Sequence, residues 1–233
     1  MKNKAVWITG ASSGIGKSLA KKFAQNNFNV IASARRVELI EKLSSDLPDA
    51  KIIPVKNDVS KFEDVNKTYN SFAESFEIDC LINNAGTTVF KSFIDTEIDD
   101  IKRVTEVNLL GAIYTTKVVL PEMIRRQKGT IINILSVAAN TIFTNSTVYS
   151  ASKAGLEMFG KVLREEVRDY NIRVINIFPG ATATEIWPES ALERFSEKMM
   201  QPDKLADLIF QIYKSDFSLS PEEITIRPIG GDL

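Results

Sequence analysis

A tyrosine and a lysine stand four residues apart in the stretch VYSASKAGLEMFG, where only small residues separate Tyr149 from Lys153. On a helix, this spacing places both side chains on one face. A free phenol has a pKa of about 10, so a nearby ammonium group that favours the phenolate would help it exchange a proton at neutral pH. Taken alone, however, the pattern more often marks a helical Tyr–Lys pair without a chemical role.

The chain of 233 residues contains no histidine. Ser-His-Asp triads, Cys-His pairs and nearly all zinc sites need an imidazole as base or ligand, so these are excluded and we predict no metal site. Any acid–base chemistry must use another side chain. A phenol is a reasonable substitute, because it can donate a proton to a developing alkoxide or take one from an alcohol.

Composition and charge are those of an ordinary globular chain. Hydrophobic residues make up 44% of it, charged residues 25%, and the formal net charge is -1, so the basic excess typical of nucleic-acid binding is absent. The one cysteine, Cys80, lies in an apolar run and is predicted to be buried, which fits a reducing compartment. The N-terminal stretch MKNKAVWITGASSG lacks the apolar length of a signal peptide or membrane span, so we expect the cytoplasm.

A glycine-rich turn follows the first apolar run, in TGASSGIGKSLAKKFA, with Gly10, Gly14 and Gly16 ahead of an amphipathic helical segment. Glycine allows close approaches that a Cβ would block, and the N-terminus of the next helix offers free N–H groups to a phosphate. The spacing G-x-x-x-G-x-G differs from the commoner G-x-G-x-x-G, although the glycines should serve similar purposes. A dinucleotide site is indicated; a tight turn without a ligand is the alternative.

Two arginines, Arg35 and Arg36, end the second apolar run at a place where sites for dinucleotides without a 2'-phosphate commonly have an acidic residue. A guanidinium pairs with a phosphate, whereas a carboxylate would repel it. The arginines therefore indicate NADP(H) as cofactor. Two solvated arginines at the start of a helix are the alternative, because exposed arginines are common.

Seven short runs rich in β-branched residues alternate with longer segments of helical periodicity, which predicts a parallel sheet covered on both faces. The predicted strands are AVWITG from residue 5, NVIAS from 29, KIIPV from 51, CLIN from 80, TIINIL from 130, RVINIF from 173 and EITIRP from 223. Two predicted helix faces comprise Leu156, Phe159, Leu163 and Val167 in one case and Phe62, Val65, Tyr69 and Phe72 in the other. No linker or repeat divides the chain, so we predict one domain over residues 1–233.

Several motifs in order make the chain resemble the short-chain dehydrogenase/reductase family over nearly its whole length, in the single-domain form that prefers NADP(H). They are TGASSGIG at 9–16, NDVS at 57–60, NNAG at 83–86, VNLLG at 107–111, ILS at 134–136, YSASK at 149–153 and PGATAT at 179–184. The ensemble is far more specific than any one motif. The fold that the resemblance implies is a Rossmann-type doubly wound α/β sheet of seven parallel strands in the order 3-2-1-4-5-6-7.

The resemblance also implies a catalytic tetrad of Asn108, Ser136, Tyr149 and Lys153. Tyr149 would be the general acid or base, and Ser136 would hydrogen-bond the substrate oxygen. Lys153 would hold the nicotinamide ribose and depress the pKa of Tyr149, while Asn108 would anchor a water relay. The implied cofactor contacts, besides Asn108, Tyr149 and Lys153, are Gly10, Ser12, Ser13, Gly14, Ile15, Gly16, Arg35, Arg36, Asp58, Val59, Asn84, Ala85, Gly86, Pro179, Gly180, Thr182 and Thr184.

The segment from 185 to 202 matches the place of the family's variable substrate lid, and it is short. Trp187 within it, together with Phe143 and Asn145 before the Tyr149 helix, is a candidate for the substrate pocket alongside Ser136 and Tyr149. Phe195, Met199 and Met200 lie in the same segment. The alternative is that these apolar side chains pack the last helix, predicted near 203–214, or a subunit interface.

The function that follows is NADP(H)-dependent interconversion of a small or medium-sized carbonyl compound and an alcohol. A nucleotide-binding regulator without catalysis is one alternative, and a nucleotide-sugar epimerase or dehydratase is a weaker one, since such relatives generally have a longer C-terminal substrate domain. By resemblance, a homodimer or homotetramer would form through the helices predicted near 98–126 and 148–170. Neither nucleic acid nor membrane is an expected partner.

Overall fold

The structure is a computed structural model that describes residues 2–231. The strands are β1 (Asn3–Thr9), β2 (Asn29–Ala34), β3 (Ile52–Lys56), β4 (Phe76–Asn83), β5 (Gly129–Ile134), β6 (Ile172–Pro179) and β7 (Glu223–Ile226). The helices are α1 (Gly14–Gln25), α2 (Val37–Asp46), α3 (Phe62–Phe72), α4 (Ile98–Thr105), α5 (Gly111–Arg126), α6 (Thr147–Val167), α7 (Glu189–Phe195) and α8 (Pro202–Lys214). The ends of the domain predicted over 1–233, namely residues 1, 232 and 233, lie outside the described residues.

All seven strands form one sheet in the order β3-β2-β1-β4-β5-β6-β7, and every pair is parallel. The predicted strand order is therefore confirmed. The order reverses direction between β1 and β4, because β2 and β3 extend to one side of β1 and the later strands to the other. Such a switch point leaves a crevice at the carboxyl ends of the strands, where ligands of doubly wound sheets bind.

The core lies in two layers, one on each face of the sheet, because successive side chains of a strand point to opposite faces. In β1, Val6 and Ile8 pack into the layer under α1, α2 and α8. Ala5 and Trp7 pack into the layer under α3, α5 and α6. Cys80 of β4 is also fully buried, as predicted. Burial on both faces explains why the strand sequences are nearly continuous apolar runs.

The helices differ in two places from the sequence-based prediction. The helix predicted near 98–126 is interrupted by a π-helical turn, Glu106–Leu110, between α4 and α5. The predicted apolar face of α3 is correct at Val65 and Phe72, which are buried, but Phe62 is 40% exposed. Phe62 is the first residue of α3 and packs edge-on against the Tyr114 ring, at the outer end of the helix.

The region from 185 to 202 contains its own short helices, α7 and a 3-10 turn, Ser196–Lys198. After it, α8 begins with Pro202, whose fixed φ suits the first turn of a helix. Met199 is buried, whereas Trp187 and Phe195 are half-buried. Within residues 2–231, no helix combines the length and the apolar character that a membrane crossing requires.

Candidate active site

A cleft of about 890 Å³ lies at the carboxyl ends of the strands, within the size range of cofactor sites. It brings together nearly all of the residues that the sequence singled out. The lining includes Gly10, Ser12, Ser13, Gly14, Ile15, Arg35, Arg36, Asp58, Val59, Asn84, Ala85, Gly86, Ser136, Phe143, Tyr149, Lys153, Pro179, Gly180, Thr182, Thr184 and Trp187. Gly16 and Asn108 are not part of that lining and lie behind it.

The glycine turn between β1 and α1 is one place where other side chains would not fit. Gly10 and Gly14 have φ values of 66° and 53°, in the left-handed region that favours glycine. A Cβ on Gly10 would lie 2.7 Å from the Cα of Ala85, and one on Gly16 would lie 2.4 Å from Asn84 Nδ2. Gly16 therefore serves close packing of the turn against the loop after β4, whereas the turn itself faces the cleft.

Asn84 fastens this turn from the neighbouring strand. Its Nδ2 donates hydrogen bonds to the backbone oxygens of Thr9 at 2.9 Å and Gly10 at 3.2 Å. The Thr9 hydroxyl accepts from the backbone N–H groups of Asn84 and Ala85, each at 3.1 Å. The NNAG segment thus lines the cleft and also braces the glycine turn through these four hydrogen bonds.

Arg35 and Arg36 follow β2 and are exposed at the outer end of the cleft. The Arg36 guanidinium donates to Ser13 Oγ at 3.1 Å and forms an ion pair with Glu185 at 3.5 Å. Glu185 belongs to the segment predicted as a lid. Arg36 thereby links the glycine turn to that segment. Arg35, in contrast, forms no ion pair within the described residues.

Asp58 and Val59, predicted to flank an adenine, line the same end of the cleft. Asp58 is held in place by its own loop, because its Oδ1 accepts from the backbone N–H and the hydroxyl of Ser60. Val59 contacts the start of α5, where a Cβ on Gly111 would lie 2.8 Å from Val59 Cγ2. Asn57, which the sequence did not single out, also lines the cleft.

Ser136, Tyr149 and Lys153 converge at the inner end of the cleft. Ser136 follows β5, and its hydroxyl oxygen accepts a hydrogen bond from the backbone N–H of Ala138 at 3.1 Å. Tyr149 and Lys153 project from the first turns of α6. The Lys153 Nζ donates to the backbone oxygen of Ile134 at 2.8 Å and lies 5.8 Å from the centroid of the Tyr149 ring.

Burial shifts the acidity of both α6 groups. It raises the pKa of Tyr149, while a hydrogen bond with Ser136 acts in the opposite direction. It lowers the pKa of Lys153 to about 8, because desolvation disfavours the ammonium form. Burial has the largest effect on the pKa of Tyr149 in this arrangement, and the ammonium of Lys153 faces the ring and the Ile134 carbonyl. That Lys153 depresses the pKa of Tyr149 stays a prediction.

Asn108 lies in the π-helical turn and is 1% exposed. Its Oδ1 accepts from the Thr87 N–H at 2.8 Å, and its Nδ2 donates to the Thr87 oxygen at 2.9 Å and to Ser152 Oγ at 3.0 Å. A buried amide requires hydrogen-bond partners. Those of Asn108 are protein groups, whereas the resemblance implied a water relay at this residue. Asn108 fastens the loop after β4 to helix α6, next to Lys153.

The sequence missed a ladder of three buried asparagines, one in each of β4, β5 and β6. Asn83 Nδ2 donates to Asn133 Oδ1 at 2.9 Å, and Asn133 Nδ2 donates to Asn176 Oδ1 at 3.0 Å. Asn176 Nδ2 continues to the backbone oxygen of Glu157 in α6, at 3.2 Å. The signal was one asparagine in each of three apolar strand runs, at positions that pair in register.

Of the residues predicted to form the substrate pocket, some line the cleft and one does not. Trp187 and Phe143 line the cleft, and so does Phe90, which the sequence did not single out. Asn145 is exposed and adopts a φ of 62°, so its prediction as a pocket residue is wrong: it forms the bend of the loop before α6. Within the described part of the chain, no cluster of histidine, cysteine, aspartate or glutamate could hold a metal ion.

The chain belongs to the short-chain dehydrogenase family of oxidoreductases, whose family model matches residues 4–194. One relative, an NADP-dependent 3-hydroxy acid dehydrogenase of Schizosaccharomyces pombe, is 34% identical over 95% of this chain and 83% of its own length. An uncharacterized oxidoreductase of Staphylococcus aureus is 28% identical over 97% of this chain and 98% of its own.

Solved structures show the same fold. The closed form of a serine dehydrogenase complexed with NADP+ superposes with a TM-score of 0.92 at 26% identity, covering 98% of this chain and 96% of that one. An alcohol dehydrogenase from the archaeon Thermococcus sibiricus, complexed with 5-hydroxy-NADP, gives a TM-score of 0.88 at 25% identity, with 98% and 97% coverage. The relatives named here thus include enzymes that use or bind NADP or a derivative of it.

Proposed function

We propose that this protein is an NADP(H)-dependent oxidoreductase that interconverts a carbonyl compound and an alcohol. The observation that carries the proposal is the convergence of Ser136, Tyr149 and Lys153 at one end of a cleft whose other end is a glycine turn beside two arginines. Family membership and the NADP-dependent relatives support it.

The cleft suits NADP(H) along its length. The glycine turn and the N-terminus of α1 would bind the pyrophosphate, since free N–H groups and the helix dipole favour an anion there. Arg35 would meet the 2'-phosphate, and the segment from Pro179 to Thr184 would lie beside the nicotinamide half. Gly86 lies beside Lys153, since a Cβ there would be in ordinary contact with Nζ at 3.7 Å. When bound, the cofactor supplies or accepts a hydride.

Proton transfer is assigned to the Tyr149 hydroxyl. In the direction of reduction, it donates its proton to the carbonyl oxygen as negative charge develops there. A raised pKa keeps this phenol protonated at neutral pH, as a proton donor must be. The Ser136 hydroxyl accepts from the Ala138 N–H and hydrogen-bonds Tyr149, which holds it beside the phenol. From there its O–H would donate to the same carbonyl oxygen when a substrate lies between the two hydroxyls.

Lys153 is assigned a positioning and binding role. One of its N–H groups is used by the Ile134 carbonyl, which fixes the amine at the end of β5. The ammonium has two further N–H groups, which would hold the ribose hydroxyls of the cofactor. Asn108 supports this arrangement through its hydrogen bond to Ser152, the residue before Lys153. The 185–202 segment is proposed as the substrate-side lid of one catalytic domain.

Replacing Tyr149 with phenylalanine tests the proposal. We expect turnover to fall by at least about 100-fold, because general acid catalysis contributes that much, while the dissociation constant of NADPH changes little. The matched control is Tyr170→Phe, since Tyr170 lies in a 3-10 turn after α6 and outside the cleft lining. Turnover by Tyr149→Phe at the wild-type rate would contradict the role of Tyr149. Tight NADPH binding without turnover of any carbonyl or alcohol by the wild type would favour the non-catalytic regulator.

A further inference from the structure

Two aromatic rings form a wall on the substrate side of the cleft. Phe90, from the loop after β4, stacks on Trp187 with ring centroids 5.4 Å apart and planes 15° from parallel. The Trp187 Nε1 donates to the Thr182 backbone oxygen at 3.1 Å, which fixes the indole. Phe143 and Phe195 also line the cleft. A flat, apolar group is what such a wall binds best, by offset stacking or edge contacts.

The charges of the cleft are concentrated at its other end. Among the described lining residues, the ionisable ones besides Tyr149 are Arg35, Arg36, Asp58, Glu185 and Lys153. Arg35, Arg36 and Asp58 follow strands β2 and β3 at the outer end, and the Glu185 carboxylate pairs with Arg36. Lys153 is 3% exposed and bonded to the Ile134 carbonyl. Among the described residues that line the cleft, none places a cation against the aromatic wall.

Guanidinium groups close to this end lie outside the cleft lining. That of Arg194 is exposed and lies 5.0 Å from the centroid of the Phe195 ring. Arg103 donates to the Thr87 hydroxyl at 2.6 Å and pairs with Asp100 at 2.7 Å. Arg227 donates to the Thr141 hydroxyl at 3.2 Å, and neither Arg227 nor Thr141 lines the cleft. A carboxylate placed against Phe90 and Trp187 would lose part of its water without gaining a cation from the cleft lining, which is costly.

We infer that the substrate is an uncharged carbonyl compound, or the corresponding alcohol, with a flat apolar group next to the reacting carbon. The inference rests on the proposed function and narrows its substrate class. It sets this chain apart from its relative named as a 3-hydroxy acid dehydrogenase, because that name specifies an acid. Phe90 and Trp187 are its specificity-determining residues.

A matched pair of substrates tests the charge requirement. Ethyl benzoylformate and benzoylformate have the same aryl ketone, but only the second carries a carboxylate. In the reaction measured, the keto carbon gains a hydride from NADPH and the keto oxygen gains a proton from Tyr149, so the ketone is reduced and NADPH is oxidised. We expect kcat/KM to be roughly 100-fold higher for the ester, because an unpaired carboxylate is expensive to bury. Ethyl acetoacetate and acetoacetate provide an aliphatic pair with the same expected direction.

Two substitutions test the aromatic wall. Trp187→Ala and Phe90→Ala should each lower kcat/KM for ethyl benzoylformate about tenfold through loss of ring contacts, with the dissociation constant of NADPH unchanged. Phe93→Ala is the matched control, since Phe93 is 61% exposed, three residues after Phe90, and outside the cleft lining. Phe90 is itself 42% exposed, so its removal should leave folding intact.

The outcomes separate this inference from the proposed function. Reduction of the acids as fast as the esters would overturn the inference while leaving the carbonyl–alcohol function in place. Equal losses in Phe93→Ala and Trp187→Ala would overturn the assignment of the wall. If no carbonyl compound and no alcohol is turned over with either cofactor form, the proposed function fails, and the inference fails with it.

Discussion

Tyr149 and Lys153 illustrate how one environment acts on two groups in opposite directions. Burial raises the pKa of the phenol and lowers that of the amine, because it disfavours the charged form of each. The phenol is thereby kept protonated, as the proposed proton donor must be. The Lys153 amine, in contrast, loses its proton at about pH 8. Below that pH it is charged, and the desolvation of this charge lowers the free energy of unfolding.

The buried amine should make stability depend on pH. Between pH 8 and 10.5 the unfolded chain holds more protons on Lys153 than the folded protein does, since burial lowers the folded pKa from 10.5 to about 8. The free energy of unfolding should therefore rise with pH in that window, by about 1 kcal/mol per pH unit, and the penalty should be complete below pH 8. Lys153→Met should lack this rise.

Urea unfolding at pH 7, 8, 9 and 10 measures the difference between wild type and Lys153→Met, in which other titrating groups cancel. Lys161→Met is the control on the same helix, because Lys161 pairs with Glu157 near the surface and its pKa is raised. Parallel pH profiles for wild type and Lys153→Met would show that the amine is not desolvated as described.

At the scale of elements, the site is assembled from strand ends. Ser136 follows β5, Gly180 follows β6, and the turn at Gly10 follows β1, so the parallel arrangement alone brings them to one edge. Side chains between strands then hold these ends in register. The asparagine ladder from β4 to β6 is the clearest instance, and it continues into α6, the helix of Tyr149.

Removing the middle of the ladder should be costly. Asn133→Leu leaves Asn176 Oδ1 without its donor and Asn83 Nδ2 with only Thr116. Because buried polar atoms without partners are destabilising, we expect a loss of roughly 3 kcal/mol in the free energy of unfolding, measured by urea denaturation. Asn66→Ala, at an exposed position of α3, should change it by less than about 0.5 kcal/mol. A loss no larger than that of Asn66→Ala would argue against a stabilising ladder.

The turn after β2 should set cofactor preference. Arg35→Ala should weaken NADPH binding roughly 10- to 100-fold by loss of charge-assisted hydrogen bonds, with little effect on NADH. Arg36→Ala should have a smaller effect, since Arg36 is already paired with Glu185. Fluorescence titration with both cofactors measures these changes. Equal weakening of NADPH and NADH by Arg35→Ala would contradict recognition of the 2'-phosphate.

The sequence predicted what depends on local pattern. Apolar runs predicted all seven strands. The glycine motif lies between β1 and α1, the two arginines follow β2, and the Tyr–Lys pair lies in α6, as their flanking sequences predicted. Contacts between distant segments were beyond it: Phe90 stacks on Trp187 across 97 positions of the chain, and Asn108 meets Thr87 and Ser152. No periodicity encodes such pairs. The π-helical turn was missed for a related reason, because its five residues continue a helical pattern on both sides.

At the scale of the whole molecule, the cleft has two ends with different chemistry. Charged groups lie at the end of Arg35 and Arg36, and apolar rings lie at the end of Tyr149. A molecule with a phosphorylated head and a hydride-bearing ring would span them, leaving the space beside Phe90 and Trp187 for a second reactant. Assembly into a homodimer or homotetramer and residence in the cytoplasm stay predictions from the sequence.

The most direct test of the central claim follows the hydride itself. The wild-type protein is incubated with ethyl benzoylformate and NADPH carrying deuterium at both C4 positions of the nicotinamide, and the product is read by NMR and mass spectrometry. The account predicts ethyl mandelate with one deuterium on the carbinol carbon and none retained on oxygen. Unlabelled alcohol, or no alcohol from this or any other neutral carbonyl compound, would contradict it.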